Sequence, residues 1–148
     1  MPRRARDTER AVAEAASLDV AREAAGGRRA ERDPLVGELR RAGLLPMLVL
    51  HFLAEGPSYG NQLMERVSEV TGGLIAVNPN TMYPLLRSLE GRGLVAGEWE
   101  HPERRSRRFY RLTDQGEAER VRLARDIMPQ LDAVARSVDL IRAEVERG

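Results

Sequence analysis

The chain has 148 residues, which fits one domain with short additions rather than two full domains. It has 24 basic and 23 acidic residues and no cysteine, so its total charge does not indicate a nucleic-acid partner, and disulfides and thiol chemistry are excluded. The longest apolar run, Leu44 to Leu50, is far too short to span a bilayer, and the N-terminus has no apolar signal segment, so we expect a cytoplasmic protein without a membrane partner.

Charge is unevenly distributed along the chain. Residues 104–111 contain five arginines and no acid, whereas residues 114–119 contain three acids and no base. A local basic patch matters more for nucleic-acid binding than the total charge does. Residues 104–111 are therefore a candidate anion-binding segment.

Residues 1–33 are rich in alanine, arginine and glutamate and have few large apolar side chains. Thr8 can cap a helix that runs to about Ala25 and ends at Gly26 and Gly27. Alanine favours helix, but the apolar stripe is thin. Two interpretations stay open for this N-terminal arm: a helix docked on a partner surface, and a partly disordered segment.

Residues 34–113 predict a folded domain that begins with two helices. Residues 43–55 are apolar nearly all round, which indicates a buried helix. Ser58 is predicted to cap a second helix over about 59–70, because its hydroxyl oxygen can accept from the free N–H groups of the first turn. The inward face of that helix is Tyr59, Leu63, Val67 and Val70.

A third helix is predicted to start at Asn78, an N-cap residue followed by proline at the first helical position. Pro84 removes an early helical hydrogen bond and is expected to bend the first turns. The inward residues of this third helix are predicted to be Met82, Leu85, Leu86 and Leu89. Its outward or edge residues are Asn80, Thr81, Tyr83, Arg87 and Ser88.

Two strand-like runs follow, at 94–100 and 107–113. The six residues between them are too many for a two-residue turn, so the hairpin carries a protruding tip. Three helices followed by such a hairpin predict a mainly α fold with a small two-stranded β-wing, which is a winged helix-turn-helix.

Residues 114–148 predict one long helix, with Asp114 and Glu117 at capping-box spacing. Its apolar residues recur at alternating steps of three and four, a heptad-like seam. A helix of about 50 Å cannot bury that seam on so small a domain, so a second copy is the simplest partner. Pro129 is expected to kink or split the helix near Met128. The predicted dimer interface is Val121, Ile127, Leu131, Val134, Val138, Ile141 and Val145.

No catalytic constellation can be assembled from the sequence. It has two histidines, no thiol, no glycine-rich phosphate loop and no metal-ligand spacing. We therefore expect no enzymatic activity, no cofactor and no metal.

The pattern favours binding of double-stranded DNA. In winged helices the third helix enters the major groove, and the hairpin touches the backbone or the minor groove. Asn80, Thr81 and Arg87 are best placed for base edges or nearby phosphates, whereas the wing arginines are expected to contact phosphate. The alternative is a protein-interaction adaptor whose arginine turn meets an acidic partner. The full candidate set is Ser58, Tyr59, Asn78, Asn80, Thr81, Tyr83, Arg87, Arg104, Arg105, Arg107 and Arg108.

Three segments carry a family resemblance: LVLHFLAEGPSYGNQLMERV, NPNTMYPLLRSLEGRGLV and RRFYRLTDQGE. Over residues 43–120 the chain resembles the PadR family of transcriptional regulators, and its single C-terminal helix resembles the shorter subfamily. The resemblance implies a winged helix, homodimerisation through the C-terminal helix, and repression relieved by a small molecule that is often aromatic or hydrophobic. Trp99, the only tryptophan, is a candidate for such an effector site, with core packing as the alternative.

Overall fold

The computed structural model describes residues 34–103 and 106–148. The expectations for residues 1–33, and those for Arg104 and Arg105, lie outside the described residues. In chain order the elements are α1 (Pro34–Arg41), α2 (Leu44–Ala54), β1 (Ser58–Tyr59), α3 (Gly60–Val70), α4 (Pro79–Gly91), β2 (Val95–Trp99), β3 (Arg108–Leu112) and α5 (Asp114–Arg147).

Helix α2 is the centre of the core, as its all-round apolar sequence predicts. It contacts α1, α3, β3 and α5, and His51 and Ala54 remain exposed. Val49 and Leu50 are fully buried, and Phe52 and Leu53 nearly so. Gly43 precedes the helix in the left-handed conformation, with φ of 90°, and thereby separates α1 from α2.

Helix α4 starts where the Asn-Pro signal predicts. The Asn78 side-chain oxygen accepts a hydrogen bond from the Thr81 N–H at 3.2 Å, which satisfies one of the free donors of the first turn. Pro84 lies inside the helix and does not end it. The inward residues Met82, Leu86 and Leu89 are at most 1% exposed, so the predicted facing of this helix is confirmed.

The segment between α3 and α4 is fixed by Thr71. Its hydroxyl donates to the Val67 carbonyl at 2.8 Å and accepts from the Ile75 N–H at 3.1 Å. Ile75 is buried in the core. The first half of the connection is therefore anchored to the end of α3 and to the core.

The sheet has three strands where the sequence predicts two. The order is β1-β3-β2, all antiparallel, with Ser58 opposite Tyr110 and Tyr59 opposite Phe109. Ser58 is thus a strand residue and not the predicted helix cap. Tyr59 occupies the cap position of α3, and its N–H donates to the Gln62 side-chain oxygen at 3.0 Å.

Helix α5 is one continuous helix of 34 residues. The prediction that Pro129 splits the helix is therefore wrong, whereas a kink at Pro129 stays a prediction. A proline in a helix interior removes one backbone hydrogen bond, and the turns on both sides of Pro129 keep theirs. Thr113 caps the helix, because its hydroxyl oxygen accepts from the Gly116 N–H at 3.0 Å while donating to the Gly93 carbonyl at 2.6 Å.

The first half of α5 packs on its own domain, and this corrects one predicted interface residue. Ile127 is fully buried in the core of its own chain, so it cannot face a partner. Leu131 and Val134 are half-buried against the same core. Beyond Val134 the helix leaves the domain. No helix in the described part of the chain is long and apolar enough to cross a membrane.

Candidate nucleic-acid interface

The outward face of α4 is polar and accessible. Asn80 and Arg87 are exposed, Tyr83 is 38% exposed and Thr81 is half-buried. Residues 80, 83 and 87 are spaced by three and four positions, so they lie on one side of the helix. The first turn of α4 contains no acidic residue, which leaves the positive end of the helix dipole available to an anion.

Three of the predicted DNA-binding residues have structural roles in this fold. Ser58 is buried, and its hydroxyl lies 3.2 Å from the Gln62 side-chain oxygen. Little of the Ser58 side chain is therefore accessible to DNA. The Asn78 side-chain oxygen is used as the cap of α4. The Tyr59 ring lies edge-on to Phe109 and beneath the Arg107 guanidinium, whose centre is 4.2 Å from it.

Tyr83 packs against the start of α3 and shares a cleft with Trp99 and Tyr110 of the wing strands. A side chain on Gly60 would come within 2.8 Å of the Tyr83 ring. Glycine at this position therefore lets the ring lie directly on the α3 backbone. The contact joins α3 to the outward face of α4, and part of the ring stays exposed beside Asn80 and Arg87.

The wing is closed by hydrogen bonds that continue beyond the last strand pair, Trp99 and Arg108, toward its tip. The Glu100 N–H donates to the Arg107 carbonyl at 2.8 Å. Ser106 then accepts from the His101 N–H at 2.9 Å and donates to the His101 carbonyl at 3.2 Å. The tip residues 101–103 are exposed. The hairpin predicted from the sequence is confirmed, and its tip is available to a partner.

Each arginine in the described part of the wing faces a glutamate. Arg107 lies 3.6 Å from Glu100, Arg111 lies 3.1 Å from Glu98, and Arg108 lies 2.9 Å from Glu90 of α4. Exposed ion pairs contribute only about 0–1 kcal/mol. Arg107, with its side chain 63% exposed, can therefore exchange its glutamate for a phosphate at little cost.

The two tyrosines of the sheet keep their protons. Burial raises the pKa of the Tyr110 phenol, and the neighbouring Glu90 adds to this effect. Desolvation also raises the pKa of Tyr59, with a further contribution from Glu100. Neither phenol adds negative charge to the surface that carries the arginines.

An open cleft of about 350 Å³ lies between the start of α3, the outward face of α4 and the wing. Trp99 borders it and is 46% exposed, so the core-packing alternative for this residue is wrong. Aromatic rings and guanidinium groups share the lining, namely Tyr59, Tyr83, Trp99 and Tyr110 with Arg87, Arg107 and Arg108.

Comparison with known proteins decides the family. The sequence matches the transcriptional regulator PadR-like family over residues 49–122, which run from α2 to the first turns of α5. The chain belongs to the PadR-like family of transcriptional regulators. It is 35% identical over 81 residues to transcriptional regulator Rv3488 of Mycobacterium tuberculosis, a match that covers 55% of this chain and 72% of the relative.

Two solved structures share the fold of this PadR-like chain. A transcriptional regulator from Clostridium thermocellum, Cth-833, matches with a TM-score of 0.54 and 22% identity, covering 62% of this chain and 89% of that one. A PadR family transcription regulator from Clostridium difficile R20291 matches with a TM-score of 0.52 and 20% identity, covering 65% and 99%. The resemblance read from the sequence is therefore confirmed at the level of family and fold.

Proposed function

We propose that this PadR-like regulator is a homodimeric repressor that binds operator DNA and is released by a small hydrophobic or aromatic effector. The observation that carries the DNA-binding part is the placement of the polar face of α4 beside the arginine-bearing wing. A helix and a hairpin arranged in this way match the major groove and the adjacent backbone of one DNA half-site.

We assign recognition of the DNA bases to Asn80, Thr81 and Arg87. Asparagine can pair with adenine and arginine with guanine through two hydrogen bonds each. Tyr83 is 38% exposed beside these residues, and we assign its hydroxyl to a phosphate contact. Specificity therefore comes from α4, and general affinity comes from the wing.

Dimerisation is assigned to the part of α5 beyond Val134. Val138, Ile141 and Val145 are 48%, 61% and 74% exposed. They follow one another at steps of three and four, which is the spacing at which two helices interlock. The same helix of a second copy has a matching apolar stripe and would bury these side chains.

The effector is assigned to the cleft beside Trp99. A ligand held there would lie between α4 and the wing, the two elements proposed to contact DNA, and would compete with the operator for the same surface. The position of the cleft thus explains how a small molecule could release DNA without a large rearrangement.

The test of the repressor proposal is selection of bound sequences from a random DNA pool, followed by affinity measurement at several salt concentrations. If Arg104, Arg105 and Arg107 contact phosphates in both protomers, about six phosphates are neutralised, and log Kd should change with log salt with a slope of about 5 in magnitude. Asn80→Ala and Arg87→Ala should relax the selected sequence. An absence of sequence preference, with binding to acidic proteins instead, would establish the adaptor function.

A further inference from the structure

The side chain of Arg108 extends in a different direction from that of its neighbour Arg107. The side chain of Arg107 is 63% exposed, whereas that of Arg108 is 33% exposed and crosses from the wing to α4. There, one terminal nitrogen of its guanidinium donates to the Glu90 carboxylate at 2.9 Å. Glu90 lies near the end of α4, 18 residues before Arg108. The ion pair therefore joins the two elements that are proposed to contact DNA.

The space for this guanidinium is provided by Gly97. On β2, Gly97 faces the same side of the sheet as its cross-strand partner Tyr110. Any side chain at position 97 would collide with the Arg108 guanidinium and would lie 3.0 Å from Glu90. Glycine inside a strand often marks such a close approach. The Trp99 and Tyr110 rings lie 5.4 and 5.8 Å from the guanidinium.

The Nε atom of Arg108 is buried and has no hydrogen-bond partner among the described residues. A side chain that reaches phosphate must extend its donors away from the protein, whereas this guanidinium lies in the lining of the cleft between the wing and α4 and donates to Glu90. Turning it outward would break the pair and leave the Glu90 carboxylate unpaired next to the phosphates of DNA, which is unfavourable.

We propose that Glu90, Gly97 and Arg108 form a brace that fixes the wing relative to α4, so that Arg108 supports DNA binding by positioning the wing and not by contacting phosphate. The inference rests on the proposed DNA-binding function. A wing held in its binding orientation loses less conformational freedom when DNA binds, and pre-organisation of this kind increases affinity.

The decisive variant is Glu90→Gln, because the two explanations predict opposite signs. Removing a carboxylate near DNA strengthens binding if only charge matters. Loss of the brace weakens it, and for one partly exposed ion pair in each protomer we expect binding to weaken about three- to tenfold. Glu98→Gln is the matched control, since its partner Arg111 lies on the neighbouring strand of the same sheet and their pair does not reach α4. The control should bind as tightly as the wild type or tighter.

Salt dependence distinguishes positioning from phosphate contact. Arg107→Gln should lower the log–log salt slope by about 1.8 in the dimer, which corresponds to one phosphate lost in each protomer. Arg108→Gln should weaken binding and leave the slope unchanged. A decrease at Arg108 similar to that at Arg107, or a Glu90→Gln variant that binds as tightly as the wild type, would overturn the brace.

Trp99 fluorescence reports on the brace without DNA. Because the Arg108 guanidinium lies beside the indole, Glu90→Gln should change the emission of this single tryptophan, and Glu98→Gln should not. Circular dichroism would check that both variants are folded. If the wild type bound no selected DNA, the repressor proposal would fail, whereas the emission comparison would still decide whether the brace exists. Identical emission from both variants and the wild type would refute it.

Discussion

If the regulator is the homodimer proposed above, replacing Ile141 with glutamate should convert it to a monomer. Burying an isoleucine side chain completely contributes about 1.5–3 kcal/mol, and 61% of this one is exposed in the single chain. Covering that part yields roughly 1–2 kcal/mol, and a two-fold dimer contains the residue twice. The loss of roughly 2–4 kcal/mol raises the dimer Kd roughly 30- to 700-fold, before any cost of placing two carboxylates in an apolar seam.

Leu140 offers a matched control for this variant. It is 63% exposed, nearly the same as Ile141, but it lies about 100° further round the helix and outside the three-and-four spacing. Leu140→Glu should remain dimeric. Sedimentation velocity over a dilution series would measure both. A fully dimeric Ile141→Glu would refute the assignment of the dimer interface to α5 beyond Val134, and equal dissociation of both variants would refute the assignment to the face that carries Ile141.

Three further predictions concern stability, pH and the effector. Gly116→Ala should lower the free energy of unfolding in urea by more than about 1 kcal/mol, because the added Cβ would collide with the backbone carbonyl of Leu94. Gly91→Ala, where a Cβ meets nothing within 4 Å, should be neutral or stabilising by up to about 1 kcal/mol. The hydrogen bond from Arg122 lowers the pKa of Glu119, so this carboxylate contributes stability above its ordinary pKa that is lost as the pH falls through the lowered value. Urea titrations between neutral and acid pH should therefore show that Glu119→Gln loses less free energy of unfolding on acidification than the wild type does. An equal loss in both proteins would contradict the pairing. An effector in the cleft should alter Trp99 emission at stoichiometric amounts, and silence with a proven inducer would remove Trp99 from the site.

Long, strongly patterned elements of this fold could be predicted from the sequence. The all-round apolar segment gives α2, and the Asn-Pro signal gives the first residue of α4. Strand β1 could not be predicted, because two residues are too few to show a period. Its existence depends on β3, which comes some 50 residues later and supplies the backbone partners of Ser58 and Tyr59.

The C-terminal helix shows the limit of a periodic pattern. Alternating steps of three and four identify an apolar face, but they do not say what covers each part of it. The structure divides the seam near Val134, with Ile127 inside its own domain and Val138 outside it. Only the position of α2 against α5 could reveal that division.

The residues of the candidate site could be predicted from the sequence, but the ion pairs among them could not. Nothing near Glu90 in the sequence indicates Arg108, because the chain must turn through the whole wing before the two side chains meet. The one local indication was Gly97 inside a predicted strand. A glycine there indicates that another group lies close to the strand backbone, but it does not identify that group.

The junction at Thr113 has a consequence for the operator. Its hydroxyl joins the Gly93 carbonyl to the first turn of α5, and Gly116 brings that turn against Leu94. The helix that would set the distance between two protomers is thus fixed directly to the end of the reading domain. Inserting one base pair between the half-sites moves the second by about 3.4 Å along the duplex and rotates it by about 35°. Without a flexible joint to absorb that displacement, the regulator should bind operators of one spacing and reject those longer or shorter by a single base pair.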